Sequence, residues 1–292
     1  MRDSTPSSRD RASGNSWCRG RTFAQVTLVT ALLAAASCTT TSTRQTTALA
    51  LQDILQSQQR PAEDRVRDRY RHPQETLLFF GIRPQMHVLE VWPEPGWYTE
   101  VIAPLLRDHG KYYAGVIAAD PHSKYVSQRL AAYRSRLAQH PDLYGQVEIV
   151  TFPADTDALP PNSLDMVVTF RNIHNWLARD SAASMFAAMY RALKPGGVLG
   201  VVEHRGNPNV AQDPKAKSGY VNEDYAIRLI EAQGFRLAGE SPVNANPRDT
   251  KDYEQGVWTL PPTYRLGDKD RQRYEQIGES DRFTLKFVKP RR

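Results

Sequence analysis

Seven short apolar runs, separated by stretches of helical periodicity, constrain this chain more than any other feature. The runs are 88–91, 112–117, 147–152, 166–170, 198–203, 235–240 and Arg282–Val288. Between them, Val101, Ile102, Leu105 and Leu106 recur at helical spacing, as do Val126, Leu130, Tyr133 and Leu137, and later Phe186, Met189, Tyr190 and Leu193. Short apolar runs bounded by turn residues suit strands buried on both faces, and stripes at i, i+3, i+4 suit helices lying on a sheet. Strands alternating with helices predict an α/β fold with a mostly parallel sheet covered on both sides. Pro73 can open a further helix that Gly81 closes, and 222–233 reads as another, closed by Gly234. Residues 51–71 read as a polar, helical lead-in. Right-handed crossovers bring the ends of the parallel strands to one edge, and ligands bind along it where the strand order reverses. The residues that follow each strand are therefore the candidates for function.

A chain of 292 residues, 40% hydrophobic, builds a core that needs no disulfide staple. Its net charge of +6 is partly carried by residues 1–37, which hold five arginines and two acids. The remaining basic residues alternate with acids, as in Arg65-Val66-Arg67-Asp68-Arg69. Without an aromatic-interleaved basic motif, this argues against nucleic acid as a partner. Both cysteines, Cys18 and Cys38, precede the body of the chain, which excludes a thiol nucleophile or a cysteine zinc site there.

Arg19 and Arg21 precede an apolar stretch over 23–36, too short for a span of about 20 residues. Charge, a short apolar run and then small residues form a signal-peptide pattern, which predicts export to the periplasm or the membrane surface. The run ends Ala35-Ala36-Ser37-Cys38, which resembles a bacterial lipoprotein cleavage site with Cys38 as the lipidated residue. Ordinary signal-peptidase cleavage and an uncleaved hydrophobic helix are the alternatives. The expected organisation is a signal segment over 1–38, a Thr-rich linker over 39–50 and one domain over 51–292, with membrane contact through a lipid anchor at most. The body is expected to fold without residues 1–47, since the Thr-rich stretch has little apolar surface to bury.

Two stretches carry a family resemblance. Asp155-Thr156-Asp157-Ala158-Leu159-Pro160 runs into Ser163-Leu164-Asp165-Met166-Val167-Val168, and Leu193-Lys194-Pro195-Gly196-Gly197-Val198-Leu199 leads to Glu203. In this order, over roughly 86–288, they resemble the class I S-adenosylmethionine-dependent methyltransferases. The stretch Val91-Trp92-Pro93 with Gly96-Trp97-Tyr98-Thr99-Glu100 resembles an exported branch of that family. The resemblance implies a Rossmann-like seven-stranded sheet whose last strand runs antiparallel beside the fifth, and S-adenosylmethionine as cofactor. It implies that Glu90 supports the amino-acid end of the cofactor and that Asp155 faces the adenine amino group. Gly96 is the one glycine left in the loop after the first strand, where the backbone would approach the ligand. Trp92, Pro93 and Pro95 take the places of flexible or donating residues, a departure from the family pattern that bears on cofactor binding itself. Asp120, 24 residues after Gly96, is the candidate for the ribose hydroxyls, near the spacing of about 20 in dinucleotide folds. Helix capping and turn formation are the structural alternatives for both aspartates.

After the fourth strand comes Arg171-Asn172-Ile173-His174-Asn175-Trp176, expected as a loop facing the methyl donor and substrate. His174 is a candidate general base, since imidazole titrates near neutral pH, and Asn172 a candidate for positioning the nucleophile or cofactor. Packing of His174 on Trp176, or helix capping, is the alternative. His204 and Tyr98 are further candidates. The expected activity is methyl transfer to a small-molecule or cell-envelope substrate. The alternative is a non-catalytic exported binding protein on the same fold, while the missing glycine fingerprint argues against an NAD-type oxidoreductase. The Pro-, Asn- and charge-rich stretches 205–218 and 244–268 are expected to shape the substrate side.

Overall fold

The computed structural model describes residues 43–118, 123–154 and 159–291. Cys38 and the expected signal segment lie outside the described residues, as do Asp120 and Asp155. The chain divides into residues 1–43 and a compact unit of residues 44–292, to which the elements below belong. No helix among the described residues is long and apolar enough to cross a membrane.

Each apolar run forms a strand. They are β1 (His87–Val91), β2 (Lys111–Val116), β3 (Glu148–Thr151), β4 (Leu164–Phe170), β5 (Leu193–His204), β6 (Arg236–Ser241) and β7 (Arg282–Val288), in the order β3-β2-β1-β4-β5-β7-β6. The first five are parallel to one another. β7 runs antiparallel between β5 and β6, as the family resemblance implies. β5 starts five residues before its apolar run, because Leu193 already pairs with Leu164 ahead of a register shift. There Lys194 Nζ reaches Asp165 Oδ1 (2.6 Å), whose other oxygen accepts the His87 amide (2.9 Å) and ties β1 to β4.

Residues 44–56 form α1, followed by α2 (Ala62–Arg65), α3 (Asp68–Arg71) and α4 (Pro73–Phe80). Next come α5 (Thr99–Leu106), α6 (Lys124–Gln139), α7 (Pro141–Tyr144), α8 (Ile173–Ala178), α9 (Ala182–Ala192), α10 (Glu223–Glu231) and α11 (Arg271–Ile277). Pro73 takes the first position of α4, and Gly81 ends it at φ 86°. Ser123 caps α6 by accepting the Val126 amide (3.3 Å), and the stripe expected on α6 buries Val126 and Tyr133. Successive strand residues serve opposite faces. Val88, Met166 and Val168 pack with Leu77, Phe80, Ile102 and Tyr133, whereas Leu89, Val91 and Val167 pack with Trp176, Phe186 and Ile230.

Two expectations about order give way. The Thr-rich stretch expected as a linker is helical over 44–50. Thr47 is buried, Ala48 O accepts from Gln74 Nε2 (2.8 Å), and Leu51 is fully buried. One well-placed leucine and a bond to α4 order a segment whose composition reads as tether. The stretch expected as a loop after β4 is α8, which buries Ile173, Trp176 and Leu177.

Candidate active site

β1 and β4 are neighbours in the sheet, while the chain runs from β1 to β2, so the strand order reverses between them. At the strand ends beside that reversal lies a cavity of about 350 Å³. The β1 exit supplies Glu90 and Trp92 to Pro95, the β4 exit Arg171, Asn172 and His174, and β5 ends in it at His204.

Trp92 sits at φ 53°, a left-handed conformation that costs an ordinary side chain roughly 1–2 kcal/mol. Its amide donates to Gly115 O (2.8 Å), and its ring meets Trp176 edge-on at 5.9 Å. A tryptophan held from both sides thus makes this turn. Gly96, at φ 107°, is not on the cavity wall: a Cβ there would lie 3.1 Å from the Tyr133 ring. Its two chain neighbours, Pro95 and Trp97, do line the cavity. The glycine is required by its backbone conformation and by the close seat of α6 against the loop, which no local pattern in the sequence reveals.

Glu90 is buried, and desolvation pushes its carboxyl up to about 8, although the Tyr112 hydroxyl donates to Oε2 (2.6 Å) and works the other way. Tyr112 continues through Thr99 Oγ1 (2.9 Å) to Tyr133 (3.0 Å), so β1, β2, α5 and α6 all meet at this carboxyl. Burial also raises Glu94. Glu94 Oε1 and Trp92 Nε1 are both buried without a hydrogen-bond partner, which leaves an open acceptor and an open donor on residues of the cavity wall.

On the opposite wall, Asn172 spends its amide nitrogen on Val91 O (2.9 Å) and Thr169 Oγ1 (3.2 Å). It pins the β1 exit to β4, so a donor role toward a ligand is excluded and Oδ1 is what it can offer. His174, in the first turn of α8, pairs through Nδ1 with Glu203 Oε1 (3.1 Å). Glu203 is fully buried and also accepts the amides of His174 (3.3 Å) and His204 (2.8 Å). This partner closes the fifth-strand motif, but sequence reading gave it no role. The His204 ring packs 5.5 Å from His174 and its Nδ1 pairs with Ser280 Oγ (2.6 Å). Burial, then the neighbouring His174, hold His204 well below the usual imidazole range. Tyr98 stacks on Phe170 at 3.5 Å, donates to Arg71 O (3.3 Å) and is pushed up to about 12 by burial, so it is a wall residue and not a base. Glu90, Asn172, His174, His204 and Tyr98 are thus brought together, and Gly96 is not.

Residues 93–201 match the family model described as a methyltransferase domain. Among curated proteins, the chain is similar to the ubiquinone/menaquinone biosynthesis C-methyltransferase UbiE of Pseudoalteromonas translucida (strain TAC 125), 29% identical over 167 residues. The protein of the same name from Marinomonas sp. (strain MWYL1) is 26% identical over 166 residues. Each match covers 57% of this chain, which spans 59% of the relative's length. Among solved structures, a SAM-dependent methyltransferase from Aquifex aeolicus aligns with TM-score 0.52 and 15% identity, over 76% of this chain and 92% of that one. Haemonchus contortus phosphoethanolamine N-methyltransferase 2, in complex with S-adenosyl-L-methionine, aligns with TM-score 0.51 and 17% identity, over 76% of this chain and 53% of that one. The sheet order, the reversed β7 and the matched stretch beginning at the β1 exit give this chain the fold of the class I S-adenosylmethionine-dependent methyltransferases.

Proposed function

We propose that the protein is an S-adenosylmethionine-dependent methyltransferase acting on a small molecule. The observation that carries this is the cavity at the strand-order reversal, with buried acidic acceptors on the β1 wall and a Glu203-oriented imidazole on the other. The residues present fit the cofactor. Its ammonium and ribose hydroxyls are donors, and Glu90 and the unpaired Glu94 Oε1 are acceptors, while Trp92 Nε1 is an unpaired donor for a carboxylate. When bound, the cofactor supplies an electrophilic methyl group on a sulfonium.

The chain's own residues do the rest. Glu203 accepts from His174 Nδ1–H, which fixes the tautomer and leaves the Nε2 lone pair free to take a proton from the methyl acceptor. Asn172 holds the β1 and β4 exits at a fixed separation, and Trp92 and Trp258 line the cavity with apolar surface. Methyl transfer asks chiefly for alignment and exclusion of water. The Glu203-oriented imidazole on the cavity wall favours the catalytic reading over the non-catalytic one. Calorimetric titration of the protein with S-adenosylmethionine, S-adenosylhomocysteine and NAD tests it. Binding of both adenosyl compounds without NAD is the expected result. No adenosyl binding at millimolar concentration would end the reading.

A further inference from the structure

One end of the same cavity is basic beyond anything the β1 wall requires. Arg67 and Arg71 from the lead-in segment, Arg171 from the β4 exit and Arg282 from β7 line it, and Glu279 is the shared carboxylate of Arg67, Arg71 and Arg282. Arg67 Nε bonds Glu279 Oε1 (2.6 Å), Arg71 Nε bonds Oε2 (3.3 Å), and Arg282 Nη2 bonds the same oxygen. The other guanidinium nitrogens are not all used. Arg71 Nη1 and Nη2, Arg67 Nη2 and Arg282 Nε are buried without a partner. Arg71 is 2% exposed, and its guanidinium is fixed over the Trp97 ring at 4.5 Å, so its free fork is held in place. Arg171 is strained into position at φ 61° directly after β4. Buried donors left unpaired are costly, and four guanidiniums around one carboxylate repel each other. Both penalties fall away if a second anion enters.

We infer that this end of the cavity is an oxyanion site that holds a dianionic group, phosphate in class, on the methyl acceptor. The inference rests on the methyltransferase reading for the word acceptor, but the site itself does not. Guanidinium forks match phosphate oxygens in geometry and bind them bidentately. A dianion is favoured over a carboxylate because Glu279 cancels one of four positive charges, and of the three left a dianion offsets two where a carboxylate offsets one. The carboxylate of the cofactor accounts for one guanidinium, not four. Trp258, Pro261 and Pro262 line the same cavity, so the body attached to the anionic group is apolar or aromatic. Charge also decides against a metal at the nearby trio His174, Glu203 and His204, whose ligand atoms lie within 4.8 Å of one another. Both Glu203 oxygens already accept hydrogen bonds, and Arg71, Arg171 and Arg282 act on His204 with a field that repels a cation.

Calorimetry of the full chain with inorganic phosphate, phenyl phosphate and acetate, at fixed ionic strength and with or without saturating S-adenosylhomocysteine, tests the site. The expected result is phosphate binding about tenfold or more tighter than acetate, tighter still for phenyl phosphate, and not weakened by S-adenosylhomocysteine. Arg171→Gln, whose side chain does not pair with Glu279, should weaken phosphate by about tenfold, and a thermal-shift scan of that variant confirms that it is folded. No phosphate binding, equal binding of acetate, or competition between phosphate and S-adenosylhomocysteine would each overturn the inference. Adenosyl binding without phosphate binding ends the anion site alone. Phosphate binding without adenosyl binding ends the methyltransferase reading and leaves the anion site standing.

Discussion

Glu90 carries a proton at neutral pH, because burial without a cationic hydrogen-bond partner outweighs the Tyr112 hydroxyl. The folded carboxyl titrates at about 8 against an ordinary value of 4.5, so the folded state holds this proton more tightly than the unfolded one. Its contribution to stability is complete below the ordinary value and is lost as pH rises through the folded one. His204, held neutral by burial, works in the opposite direction below its ordinary pKa, so the difference between the protein and Glu90→Gln is what isolates the glutamate. Denaturant unfolding at intervals from pH 5 to pH 9 should show the protein losing stability relative to Glu90→Gln, by a few kcal/mol in all (~1.4 kcal/mol for each pH unit between the ordinary and folded values). Parallel profiles for the two would mean that Glu90 ionises normally. A bound ammonium group favours the charged carboxyl, so cofactor binding should release a proton near neutrality, and the same titrations in buffers of different ionisation enthalpy detect it.

At the scale of elements, the helices sit where strand residues leave room for them. Gly200, in the middle of β5, faces Phe80 at the end of α4, and a Cβ there would lie 2.5 Å from the ring. Phe80 is itself fully buried, so the ring has nowhere to retreat. Gly200→Ala should therefore destabilise by about 1–3 kcal/mol, although alanine suits a strand no worse than glycine. Phe80→Leu in the same chain should recover part of the loss, and a double-mutant cycle by chemical denaturation measures the coupling. Additive effects would mean that α4 shifts freely over the sheet. Gly96 against Tyr133 is a second such seat, which places α6 beside the β1 exit and so shapes the cavity from behind.

At the scale of the molecule, the sheet is covered on both faces by cores that, among the described residues, come from residues 44–292. α1 belongs to that body through Leu51 and the Ala48 carbonyl. A fragment of residues 44–292 is thus expected to unfold in one cooperative transition with the melting temperature of the full chain, whereas removal of residues 1–56 should lower it by several degrees, roughly 2–4 °C per kcal/mol lost at this size. Calorimetric scans of the three chains check this. A fragment 44–292 that fails to fold would make the preceding residues part of the core.

Sequence alone determined the seven strands, the longer helices between them and the edge on which the site forms. Each is written in a local period of two or of 3.6, and the right-handed crossover fixes the rest. The family resemblance singled out Glu90, and the position of His174 in the stretch after the fourth strand singled out the histidine. Short elements escaped: α8 has six residues, too few for a stripe to show, and α1 hides in a Thr-rich run. What only the tertiary structure decided is which way these residues face and whom they meet. Gly96 packs against Tyr133, Asn172 spends its amide on Val91, and Glu203 becomes the partner of His174. The arginine cluster is the clearest case. Arg67 and Arg71 meet Glu279 and Arg282 across more than 200 residues of chain, and Arg171 joins them only because β4 ends beside β5 and β7 begins there. No period in a sequence encodes that convergence, because charges separated along the chain reach one cavity only after the sheet has folded and brought the strand ends together.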